Sequence, residues 1–174
     1  DTSIGISLEL MRQCREALKG MGRNVSFHAL FIEKDEKAFQ KLQSYLTSIP
    51  QDEVSTEALP GDFFELRDPI LNWCGPYNFT FFFIDPIGWQ KVVEIPTLTP
   101  LLQRPNSEFL INFMYDFLLR THTQESFRED MQAIFGDVPD TNGMSPHEKE
   151  EKLLNLYKKC LKEISPASGG KPRT

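Results

Sequence analysis

At 174 residues with 40% hydrophobic content, the chain carries enough apolar material for one globular domain with a sizeable core. A formal net charge of −6 argues against a protein that binds nucleic acid by bulk electrostatics, leaving at most a local basic patch for such a role. Cys14, Cys74 and Cys160 stand far apart without CxxC or Cys/His spacing, which argues against a disulfide framework or zinc site and for a reducing, cytoplasmic setting. No apolar run approaches the ~20 residues that cross a membrane.

Residues 7–19 carry Leu10, Met11, Cys14, Ala17 and Leu18 at helical spacing, and Gly20 and Gly22 end the pattern. Phe27 to Ile32 is a short apolar run closing on Glu33. Lys34-Asp35-Glu36 then opens a helix with Ala38, Phe39, Leu42, Tyr45 and Leu46 on one face and Pro50 beyond its end. Val54 to Ala58 is a weaker strand pattern, followed by Gly61-Asp62-Phe63-Phe64 and a short helix through Trp73. Phe79 to Ile84 is unbroken apolar or β-branched sequence, bounded by Gly75-Pro76 and Asp85-Pro86. It predicts a strand buried on both faces, as in the middle of a parallel sheet. Residues 90–103 read as a helix made irregular by Pro96 and Pro100; Glu108 to Phe113 reads as a strand, and Met114 to Arg120 as helix.

From Thr121 the pattern changes. Phe127, Met131, Ile134 and Phe135 predict a helix stopped by Gly136, and Val138 to Gly143 a polar loop. Ser145-Pro146-His147-Glu148 starts a last helix, whose buried face is Leu153, Leu154, Tyr157, Cys160, Leu161 and Ile164. Alternation of helix and strand over residues 1–123 predicts an α/β core with a mainly parallel sheet. Residues 124–165 read as a helical insertion or cap on the same domain, and residues 166–174 as a flexible tail.

Three acidic residues fall at equivalent places: Glu33, Asp62 and Asp85, each at or just past a strand's carboxyl end. That is where open α/β sheets bind ligands. A carboxylate in the first position can accept both hydroxyls of a ribose, and one a strand further on can accept from an exocyclic amine, with the next residue's amide helping. A third, beside a Pro turn, can face the reacting group. Each also has a plain structural reading, because acidic residues favour helix starts and Asp before Pro caps turns. Trp89, beside Gly88, reads either as a platform for a flat substrate or as a core aromatic. His28, His122 and His147 have no partner at metal spacing and read as structural or surface residues. Arg67 and Arg120 are single arginines, weak as phosphate binders.

These residues resemble the three-Cys-motif partner proteins, within the class I S-adenosylmethionine-dependent methyltransferase superfamily. The segments that carry the likeness are Ala29-Leu30-Phe31-Ile32-Glu33-Lys34-Asp35, Gly61-Asp62-Phe63, Phe83-Ile84-Asp85-Pro86-Ile87-Gly88, and Phe109-Leu110-Ile111-Asn112 with Arg120. The resemblance implies a Rossmann-like, doubly wound sheet of the class I methyltransferase type. It makes Glu33 the ribose ligand, Asp62 with Phe63 the adenine edge and Asp85-Pro86 the catalytic-loop position. Amino-methylating relatives carry a DPPY-like sequence there; Asp85-Pro86-Ile87-Gly88-Trp89 lacks the second Pro and the Tyr. The family's first strand and glycine-rich cofactor loop would precede Asp1, and its final strands would follow Thr174. The family name implies a partner encoded nearby that carries three cysteines of its own.

The leading expectation is methyl transfer from S-adenosylmethionine to an unidentified acceptor, with nucleic acid a candidate. The rival is a non-catalytic scaffold of the same fold that binds a three-Cys-motif protein. A nuclease holding magnesium with Glu33, Asp62 and Asp85 is a third class, drawn from the carboxylates alone.

Overall fold

The computed structural model describes residues 3–50, 53–86, 91–113 and 125–165. The chain divides into two compact units, residues 1–66 and 67–174. Each is α/β.

In the first unit, α1 (Ser3–Gly20) leads to β1 (Phe27–Glu33), α2 (Glu36–Ser48) and β2 (Val54–Pro60). Alternation along β1 places Phe27, Ala29 and Phe31 on one face, where they pack against buried Leu8 of α1, Leu42 and Leu46 of α2, and Val54. The helical spacing of Leu42 and Leu46 is what brings both onto that face. α2 starts where Asp35 accepts a hydrogen bond from the Ala38 N–H at 2.8 Å, an N-cap worth about 1 kcal/mol. β1 and β2 pair in parallel with Phe27 opposite Val54 and Glu33 opposite Pro60. A parallel pair needs a crossover, and α2 supplies it.

The second unit holds α3 (Arg67–Cys74), β3 (Thr80–Ile84), α4 (Ile95–Leu102), β4 (Ser107–Ile111), a 3₁₀ turn (Glu125–Phe127), α5 (Arg128–Phe135) and α6 (Pro146–Ile164). β3 and β4 are also parallel, with Ile84 opposite Ile111. α4 begins later than residue 90, with Pro96 in its first turn, where a missing N–H costs nothing; Pro100 lies inside it. α5 ends at Gly136, whose φ of 78° is the left-handed conformation that glycine adopts without strain. The expected start of α6 is present as a reciprocal cap between Ser145 and Glu148. Leu153 and Tyr157 are its most buried residues. Phe113, just past β4, stacks on Tyr157 with centroids 4.2 Å apart, and the Tyr157 hydroxyl donates to the Val93 carbonyl at 2.9 Å. These contacts fasten the late helix to the loop before α4 and to the end of β4.

The expectation that β3 is buried on both faces is corrected. Phe82 and Ile84 are buried, Phe82 stacking on Phe109 at 4.8 Å, but Phe81 and Phe83 are 55% and 51% exposed. Register puts Phe81, Phe83 and Leu110 on one side of the β3–β4 pair, and no described residue covers that side enough to bury them. The expected helix over Met114 to Arg120, the tail over 166–174, and Trp89 lie outside the described residues.

Candidate functional site

Glu33 and Asp62 come together because β1 and β2 run parallel and end level. The Gly61 N–H donates to the Glu33 carbonyl at 3.0 Å, carrying the ladder one step past β2. Gly61 has φ of +135°, which side chains rarely allow, and an added Cβ would sit 3.2 Å from Leu66 Cδ1. Glycine there turns the chain so that Asp62 follows directly at the carboxyl edge. Lys34 Nζ lies 3.9 Å from Asp62 Oδ2, an exposed ion pair of small energetic weight that ties the two strand ends.

Each carboxylate also serves its own turn. Glu33 Oε1 accepts from the Asp35 N–H at 2.8 Å, and Asp62 Oδ1 accepts from the Phe64 N–H at 3.0 Å. Glu33 is thus held by one oxygen, whereas Asp62 uses Oδ1 for its turn and Oδ2 for the exposed pair with Lys34. Glu33 Oε2 meets no partner among the described residues. Phe63 follows Asp62, half-buried. A ribose diol presents two donors and an exocyclic amine presents one or two, and this edge is built of acceptors.

In the second unit Asp85 and Pro86 follow β3, Asp85 exposed and Pro86 half-buried. Asn112 occupies the same offset after β4. Its N–H donates to the Ile84 carbonyl at 2.8 Å, and its side-chain Nδ2 donates to Asp85 Oδ1 at 2.7 Å. An ionised carboxylate only accepts, so the amide nitrogen is the atom that faces it. Asp85 Oδ2 has no partner among the described residues. Ile87 to Trp89 and Arg120 lie outside them, so the stacking role of Trp89 has no geometry here.

Asn112, quoted from the sequence only as part of a resembling segment and given no role there, is a further functional candidate. A signal existed, because Ile84-Asp85 and Ile111-Asn112 repeat the same step after neighbouring strands. Arg104 was also missed. It is buried at 8% exposure, and its guanidinium donates to the carbonyls of Cys74, Gly75 and Asn78 at 3.2, 2.7 and 2.6 Å. That arginine locks the loop before β3 to the start of β4 and does not point to an anion. Arg67 Nη1 reaches the Pro96 carbonyl at 3.3 Å. Cys14, Cys74 and Cys160 are free thiols; burial pushes the Cys160 thiol up from its usual range.

A shallow groove lined by Gln43, Thr47, Thr56, Glu57 and Ala58 runs along the middle of β2, away from the strand ends. Among the described residues no group of three or more His, Cys, Asp or Glu side chains is placed to hold a metal ion. Among them also, no helix is long and apolar enough to cross a membrane. No family model, curated protein or solved structure matches the chain.

Proposed function

We propose that this protein transfers a methyl group from S-adenosylmethionine to an acceptor still to be identified, with nucleic acid among the candidates. The observation that carries the reading is the pairing of Glu33 and Asp62 at level carboxyl ends of two parallel strands, each accepting a backbone N–H of its own turn. The reading includes the finer fold, a single doubly wound sheet of the class I methyltransferase type. Two parallel pairs support it, β1 and β2 crossing over through α2, β3 and β4 through α4.

The donor set fits the cofactor's nucleoside end. Glu33 would accept from the ribose hydroxyls, and Asp62, with the half-buried Phe63 beside it, from the adenine amine. When bound, the cofactor supplies an electrophilic methyl group on a sulfonium. Asp85 would accept an N–H or O–H of the acceptor through Oδ2, because Asn112 holds Oδ1. Catalysis of this kind rests on alignment and exclusion of water, with little covalent work for the protein. The missing second Pro and Tyr after Asp85 separate this site from amino-methylating enzymes of the DPPY kind and make base methylation the weaker choice of acceptor chemistry. In native-length protein, Glu33→Ala should weaken S-adenosylmethionine binding by at least about tenfold, or about 1.4 kcal/mol, read by calorimetry. An unchanged affinity would remove Glu33 from the site.

A second reading keeps the fold as a non-catalytic scaffold for a three-Cys-motif protein. It is favoured by the exposure of Phe79, Phe81, Phe83 and Leu110, at 63%, 55%, 51% and 54%. Co-purification with such a protein, together with no heat release on adding S-adenosylmethionine, would select it.

A further inference from the structure

We propose that Asn142–Gly143, in the loop before α6, is a site of spontaneous covalent conversion of asparagine to aspartate and isoaspartate. Of the chain's asparagines, Asn142 alone is followed by glycine. Both residues are exposed, and a Cβ added at Gly143 would meet nothing within 4 Å. Among the described residues the Gly143 N–H has no acceptor, and the Asn142 side-chain amide has no partner. The two reacting groups are therefore adjacent, unhindered and unoccupied.

The chemistry needs only water. The Gly143 nitrogen gives its proton to hydroxide and forms a bond to Asn142 Cγ. The bond from Cγ to the side-chain nitrogen breaks, and that nitrogen leaves with the returned proton as ammonia. The five-membered imide then adds one water. Opening at one carbonyl gives aspartate; opening at the other gives isoaspartate, whose main chain runs through the former side chain and is one carbon longer.

The position makes the change consequential. Thr141, 3% exposed, anchors one side of the turn, and the Met144 N–H closes it onto the Thr141 carbonyl at 3.3 Å. Ser145, which caps α6, comes immediately after. An extra main-chain carbon between the Thr141 anchor and the cap lengthens that connection. The added carboxylate also lies beside Asp140, whose Oδ1 already accepts from the Asn142 N–H at 3.0 Å. Both effects loosen the first turn of α6.

The test is to hold the full chain at mildly alkaline pH and body temperature and to follow each asparagine peptide by mass spectrometry. The expected result is a one-dalton gain in the Asn142 peptide, split into two chromatographic species, well ahead of every other asparagine. Hydrogen exchange at the Glu148 and Lys149 amides should accelerate in step with it. Gly143 has φ of +73°, so Gly143→Ala is strained; Asn142→Ser is the control and should keep α6 exchange constant. An Asn142 peptide that converts no faster than the others would overturn the site. Conversion with unchanged exchange in α6 would overturn its coupling to the helix.

Discussion

Asn112 decides which oxygen of Asp85 is free, and two substitutions separate this role from simple packing. Asn112→Leu removes the donor while keeping similar bulk. Methyl transfer should fall about ten- to a hundredfold through kcat, with S-adenosylmethionine affinity unchanged, as product formation would show. An unchanged kcat would make the contact structural only. Arg104→Met leaves the Cys74, Gly75 and Asn78 carbonyls without their shared donor; a loss of about 3 kcal/mol is expected in a denaturant titration. The carboxylates at strand ends were legible because acidic residues after apolar runs mark that edge. Asn112 was not singled out, since asparagine after a strand looks like any turn residue until the register places it opposite Asp85. Arg104 could not be read at all. Besides near neighbours, its acceptors include the Cys74, Gly75 and Asn78 carbonyls, 26 to 30 residues away, and only the folded chain brings those to it.

Local caps and periodicity made the elements legible. The Ser145-to-Glu148 cap, the Gly136 stop and the Leu42/Leu46 face each follow from a few neighbouring residues, and all are present. The double burial of β3 failed for the opposite reason. An apolar run reports side-chain chemistry but not which faces are covered, and Phe81 and Phe83 turn to the open side. α6 offers two pH tests. Hydrogen bonds with the Ser145 side chain, then with its backbone N–H, hold the Glu148 carboxyl below its usual value. Because the folded value is the lower one, the cap's contribution is complete above about pH 4.5 and is lost as pH falls through the depressed value. Glu148→Gln should remove that acid-side loss, followed as helix content against pH. At the other end of the scale, burial foremost, then the nearby Cys160, pushes the Tyr157 phenol well above its usual value. Here the folded value is the higher one, so the contribution is complete below about pH 10 and declines as pH rises above it. Tyr157→Phe should flatten the alkaline limb of a pH–stability curve while costing about 1 kcal/mol at neutral pH for the Val93 carbonyl left without its donor.

For the whole molecule, the parallel α/β character was legible in the alternation of helix and strand, and both strand pairs are parallel. The two compact units, residues 1–66 and 67–174, follow contacts made only on folding, which composition does not report. The central claim is that the carboxyl edge holding Glu33 and Asp62 receives the nucleoside of S-adenosylmethionine. The most direct measurement is calorimetric titration of that cofactor into native-length protein whose ends have been verified by mass spectrometry. The account predicts saturable binding on the order of micromolar, or about −8 kcal/mol, weakened at least tenfold by Glu33→Ala. No heat release from the verified protein, or binding indifferent to Glu33, would contradict it.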